Sequence, residues 1–141
     1  MATTVYNQGL DELRNFTSVS FKALLLKGAG YVVNRDHDFV AALTPAANEV
    51  AGAGYARQSL ATKTRVIDDA LDRITYDCVD LDFGSIAVGE TVTGVVVFRF
   101  VTNDADSVLI GYYPIGSVPT NGNPFLVSID PTGLLYTVQG S

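Results

Sequence analysis

The stretch TGVVVFRFV, residues 93–101, limits the fold more than any other part of the chain. Successive side chains of a β-strand point to opposite faces, and this stretch is apolar on both, with Arg99 its polar exception. A strand of that kind belongs where the fold is most buried. The polar run TNDAD follows, then a second apolar run, SVLIGYYPI, and a hairpin is the natural connection. Val95, Val97, Phe98, Leu109, Ile110 and Tyr112 are therefore expected to form the centre of the core.

The rest of the chain is read around that hairpin. SVSFKALLLKG is a strand closed by Gly28, rich in β-branched and aromatic residues. SLATKTRVI alternates, with Leu60, Thr62, Thr64 and Val66 on one side. RITYDCVDLDF carries Ile74, Tyr76 and Cys78 on one phase, then Val79, Leu81 and Phe83 on the other, and that slip predicts a β-bulge near Cys78. Two last strands, FLVSI and LLYTV, are joined by a DPTG turn. Helix is confined to a short piece near Leu10–Arg14, weakened by Gly9, and to one turn in NRDHDFVAALTP. That turn is capped by Asp36 or Asp38, carries Phe39 and Leu43, and stops at Pro45. The expected fold is mainly β, an antiparallel β-sandwich or small barrel with one or two short helices. One domain is expected over residues 1–141, with 1–18 as an N-terminal arm and short helix.

Composition narrows the function. With 48 % hydrophobic and 17 % charged residues the chain folds. Its apolar runs are too short to cross a bilayer as helices, and MATTVYNQGLDELRN lacks the basic end and apolar segment of a signal peptide, so no membrane partner and cytoplasmic synthesis are expected. A net charge of −6 argues against a nucleic-acid partner, which needs a basic face. The charge is unevenly spread. Arg14 to Arg65 holds seven basic residues against three acidic, whereas Val66 to Phe83 holds Asp68, Asp69, Asp72, Asp77, Asp80 and Asp82 against Arg73 alone. Such segments can meet within one chain or between copies. The single cysteine, Cys78, is expected to be a buried structural thiol.

Several stretches imitate chemistry without completing it. NEVAGAGYARQSLATKT, residues 48–64, looks like a phosphate loop, but it lacks the lysine at the required spacing and a helix to follow. Gly52 and Gly54 read instead as turn residues with positive φ. RDHD holds the only histidine, His37, with no Gly-x-Ser-x-Gly elbow elsewhere. TNDADS resembles half of a calcium loop, through Asp104 and Asp106, without its glycine or terminal glutamate. Asp77, Asp80 and Asp82 are either a cation-binding ladder, or paired by Arg57, Arg65 or Arg73, or solvated. Tyr76, Tyr112 and Tyr136 fall at strand-like positions, where half-buried core is the usual fate. The expectation is no enzyme, no cofactor and no metal.

The order of these segments resembles small virion structural proteins of tailed bacteriophages. The matching stretches are Tyr31 to Phe39, Asn48 to Tyr55, Leu60 to Thr64, Asp68 to Arg73, Phe100 to Tyr112 and Asp130 to Leu135, which together span nearly the whole chain. The chain departs from the family pattern at Ile129, where a tryptophan is common. The resemblance implies a head decoration (cement) protein on the outer surface of the virion head, or a minor tail protein. It implies the major capsid protein as partner, and self-association as a homotrimer is expected beside it. Asp77, Asp80, Asp82, Arg57 and Arg65 are the candidate interface residues, and MATTVY and TPAANEVAGAG the candidate arms. A carbohydrate-binding module is the third reading, resting on the tyrosines.

Overall fold

The structure, a computed structural model, describes residues 4–130 and 133–138. Ten strands are present among them: β1 (Thr4–Val5), β2 (Phe21–Lys27), β3 (Gln58–Ser59), β4 (Thr64–Asp68), β5 (Arg73–Asp77), β6 (Leu81–Ser85), β7 (Thr91–Arg99), β8 (Val108–Pro119), β9 (Pro124–Val127) and β10 (Leu135–Val138). Helix α1 (Asn7–Glu12) runs on into a 3₁₀ turn at Leu13–Asn15, a second 3₁₀ turn covers Val40–Leu43, and α2 (Pro45–Asn48) is a single turn. The fold is mainly β and antiparallel, as the alternating apolar runs require.

The main sheet has the order β1-β8-β7-β2-β3; two smaller sheets have the orders β10-β5-β4 and β6-β9. β7 lies at the centre of the main sheet, and its both-phase apolar pattern is explained by a core on each face. On one face Phe21, Ala23, Leu25, Val95, Val97 and Ile110 pack with Tyr76 and Leu135 from one small sheet and Leu81 and Phe83 from the other. On the opposite face Leu24, Leu26, Val96, Phe98 and Leu109 are covered by Tyr6, Val40 and Leu43. Of the six expected central residues five are fully buried, while Tyr112 is half-buried at the rim of the second core. Arg99 ends β7 and bonds Glu12 of α1 at 2.5 Å, which accounts for the one charge in that stretch.

The N-terminal segment seals an edge. β1 pairs with β8 at Tyr112 and Gly111, the Tyr6 amide donates to the Ile110 carbonyl, and Gly9 then lies against the β8 backbone. A Cβ on Gly9 would meet the Leu109 carbonyl oxygen at 2.5 Å and the Ile110 Cα at 2.7 Å. The residue that weakens the helix is the residue that lets it dock. An exposed sheet edge invites pairing with other chains, and this one is covered.

Five expectations are corrected. SLATKTRVI is not one strand: Thr62 adopts a left-handed φ of 52°, and the chain passes there from β3 in the main sheet to β4 in another. The phase slip near Cys78 is likewise a change of sheet, from β5 to β6, and not a bulge. The turn before Pro45, Val40–Leu43, ends there as expected, but neither Asp36 nor Asp38 caps it; Pro45 itself starts α2, at a position where its missing N–H costs nothing. The two last strands do not pair with each other, since β9 joins β6 and β10 joins β5. Pro131 and Thr132 of the expected turn lie outside the described residues; at its ends the Gly133 amide donates to the Asp130 carbonyl. Finally, the expected arms are packed on the chain's own body, Thr4 and Val5 as β1 and Val50 as a buried residue bonded to the Leu25 carbonyl.

Candidate functional site

The turn-and-strand stretch at residues 48–64 leads to a densely connected polar group. Glu49 follows α2, Tyr55 and Arg57 follow a turn through Gly54, and Asp104 comes from the tip of the β7–β8 hairpin. Gly54 has φ 89°, and a Cβ there would sit 2.1 Å from the Ser85 carbonyl oxygen, so only glycine fits. Gly52 does not share the positive φ expected of it. Arg57 forks onto Glu49 through Nε (2.8 Å) and Nη2 (2.7 Å), and onto Asp104 through Nη1 (2.6 Å) and Nη2 (3.1 Å). The Tyr55 hydroxyl donates to Glu49 at 2.6 Å and accepts the Leu25 amide at 3.1 Å. The guanidinium also lies 5.4 Å from the Phe98 ring centroid.

This geometry uses the planar fork of arginine for two carboxylates at once. The bonds to Glu49, then those to Asp104, hold the Arg57 pKa above its ordinary value. Burial, with the Glu49 charge beside it, pushes the Tyr55 hydroxyl up. A guanidinium so engaged has little left for an outside anion. The group is a joint between three loops, each placed by a different part of the sequence.

A second polar group joins Tyr6, Tyr31 and His37. The Tyr31 hydroxyl bonds the Tyr6 hydroxyl and His37 Nδ1, both at 2.9 Å, and burial raises the pKa of both tyrosines. Asp36 accepts from Asn7 at 2.7 Å, and the Asn34 side chain accepts the Asp36 amide. RDHD is thus spent on docking its loop against the N-terminal segment. Next to it an open cleft of about 350 Å³ is lined by Lys27, Tyr31, Thr93, Tyr112 and Pro114, among others.

The aspartates do not form a ladder. Asp77 accepts the Cys78 amide, Asp80 the Ile129 amide at 2.7 Å, and Asp82 the Gly84 amide at 2.8 Å. Asp77 ends β5, Asp80 lies in the link to β6, and Asp82 sits within β6, in a different sheet. Arg57 pairs with none of them, Arg65 is exposed on β4, and Arg73 stands opposite Asp68 in the β4–β5 register. At the calcium-like tip, Asp106 accepts the Thr102 and Asn103 amides, which hold its carboxyl below its usual range. Among the described residues no group of three or more His, Cys, Asp or Glu is placed to hold a metal ion. Likewise, no helix there is long and apolar enough to cross a membrane.

Cys78 is buried, and burial, reinforced by Asp77 and Asp80, pushes its thiol up to about 11. That makes it a poor nucleophile. Tyr76 is buried too, and the side chain of Tyr136 lies outside what is described. The Glu49–Arg57–Asp104 joint was invisible in the sequence because Arg57 and Asp104 are far apart in the chain; the only local signal is the closeness of Glu49, Tyr55 and Arg57. No protein-family model, curated protein or solved structure matches the chain.

Proposed function

We propose that this chain is a non-enzymatic structural protein of a tailed-bacteriophage particle, a decoration protein that binds the outer head shell and stabilises it. The observation that carries the reading is where the phage-like stretches fall. Tyr31–Phe39 and Phe100–Tyr112 are bonded to each other through the Asp38 carbonyl and the Leu109 amide, and by a bridge between Phe39 and Val108. Asn48–Tyr55 is tied to the same hairpin through Glu49, Arg57 and Asp104. These three stretches therefore serve the body of the fold, as suits a protein whose task is to be rigid. The major capsid protein is the partner, and the exposed Asp80, Asp82 and Arg65 are the charged side chains that would steer the encounter.

The test is quantitative mass spectrometry of purified particles, with electron microscopy of particles carrying a labelled copy. Hundreds of copies on the head support the proposal, a handful at the tail moves the chain to the minor tail proteins, and absence from the particle sinks both. Rebinding to heads stripped of the protein should slow as salt rises from about 50 to 500 mM, because the screening length falls well below 10 Å. The cleft beside Tyr31 and Tyr112 favours a second reading, contact with host glycans, since tyrosine rings offer flat apolar faces with a polar edge. A glycan array addresses it, with Tyr112→Ala as the control.

A further inference from the structure

The free edge of β4 is open, continuous and apolar at its middle. β4 pairs with β5 on one side, and no described strand runs along the other. Thr64, Arg65, Val66 and Ile67 are all exposed, the two apolar ones at 54 % and 62 %. These neighbours point to opposite faces, so both faces of the edge are apolar at its middle. Its register with β5 is unbroken from Thr64 opposite Asp77 to Asp68 opposite Arg73, so no bulge twists the edge away. Three strands elsewhere are protected. Residues 4–9 cover β8, β3 is two residues long, and β9 opens on a proline. β4 has none of these devices.

The order of charge along β4 says what would cover it. Arg65 stands near the start, while Asp68 and Asp69 stand at the end. Parallel, in-register pairing with a second copy would set Arg65 against arginine and Asp68 against aspartate, which is unfavourable. Antiparallel pairing reverses the order, so that no charged side chain stands directly opposite one of like sign. A twofold axis perpendicular to the sheet must pass through one residue and its own copy. Centring it on Val66 is the register that pairs all of Thr64–Asp68.

We propose that β4 is a self-pairing edge, on which two copies of the chain join antiparallel about a twofold axis at Val66. Val66 then faces the partner's Val66, and Thr64 faces the partner's Asp68. Arg65 faces the partner's Ile67, with the partner's Arg65 on one diagonal and the partner's Asp69, in the turn after β4, beyond the other. Two three-stranded sheets become one continuous sheet. The contact is isologous and closes at two copies, so the trimer expected from the sequence would need a different, head-to-tail contact. The inference rests on β4 alone and holds whether or not the chain rides on a virion.

The experiment is sedimentation velocity on the full chain across a range of concentrations. A mass that doubles with concentration is expected, and Val66→Lys, which sets two ammonium groups face to face, should raise the dissociation constant at least about tenfold. Arg65→Asp should weaken association, and adding Asp69→Arg should restore it. Because Val66→Lys could in principle disturb folding, Val66→Cys provides an independent reading. The paired Cβ atoms would lie about 4.5–5.5 Å apart, so mild oxidation or a short bifunctional maleimide should trap a dimer. Val88→Cys, more exposed and elsewhere, should not be trapped, and the native Cys78 is buried. A chain that stays monomeric throughout, or cross-links no faster through Val66→Cys than through Val88→Cys, overturns the proposal. A trimeric mass without cross-linking at position 66 does so as well.

Discussion

Replacing Gly9 by alanine sets local propensity against tertiary packing, and the two disagree in sign. In an exposed helix the change is favourable by about 0.8–1 kcal/mol, because alanine loses less backbone freedom. Here the new methyl would lie 2.5 Å from the Leu109 carbonyl oxygen and 2.7 Å from the Ile110 Cα. Both atoms are backbone, and Leu109 and the neighbouring Gly111 are held by register pairs to Phe98 and Val97 of β7, so β8 cannot yield cheaply. Overpacking of this kind costs about 1–3 kcal/mol, and contact with fixed backbone belongs at the upper end. Subtracting the propensity gain leaves a net loss of about 1–2 kcal/mol, or a fall in melting temperature of roughly 3–8 °C for a domain of this size. Urea unfolding followed by circular dichroism measures it, with an unchanged slope required. Hydrogen exchange adds a local readout, since the Tyr6 amide, bonded to the Ile110 carbonyl, should lose protection first. A Gly9→Ala chain as stable as the parent, or more so, would show that the segment does not dock as described.

The other predictions concern the core, the joint and the thiol. Phe98→Ala should cost about 3–5 kcal/mol, the range for a fully buried ring, and a loss below about 1 kcal/mol in the same urea assay would misplace β7. Arg57→Ala should cost about 2–4 kcal/mol, somewhat under the usual loss for a buried pair because the group is partly wet; Asp104→Asn, at the most exposed corner, should cost less. If Arg57→Ala and Glu49→Gln prove additive in a double-mutant cycle, the fork is not formed. Cys78 has a thiol raised by burial from 9.0 to about 11, so the unfolded chain releases its proton first. The parent should lose stability as pH rises through that window, and Cys78→Ala should lose less. Ellman's reagent should label Cys78 slowly at pH 8 in the native state and at once in urea. Rapid native labelling would place the thiol at the surface.

The parts of the fold that could be read from the sequence are those whose cause is local. The β7–β8 hairpin announces itself by two apolar runs flanking TNDAD, and five of its six expected core residues are fully buried. Thr62 shows the opposite case: its left-handed backbone breaks an alternation that looked continuous, and only the existence of a second sheet explains why. Cys78 marks a similar crossing, misread as a bulge because both produce the same slip of phase. For Gly9 the low helix propensity is local, but the reason for glycine is not, since that reason is the β8 backbone. The joint at Arg57 was hidden likewise. Its arginine and two carboxylates were visible as charges, but nothing local says that Asp104 at a hairpin tip returns to Arg57.

The seal on the β8 edge also sets the order in which the protein can assemble. Thr4 and Val5 leave the ribosome long before their partners, Tyr112 and Gly111. Until then β8 is missing, β7 has no neighbour on that side, and the early apolar strand β2 waits without its full cover. Contacts so distant in sequence slow folding and lengthen the time that apolar surface is exposed. Closure of the main sheet therefore waits for β8. A fusion partner placed ahead of residue 4 is held beside the last-formed part of the main sheet, where it is best positioned to delay closure.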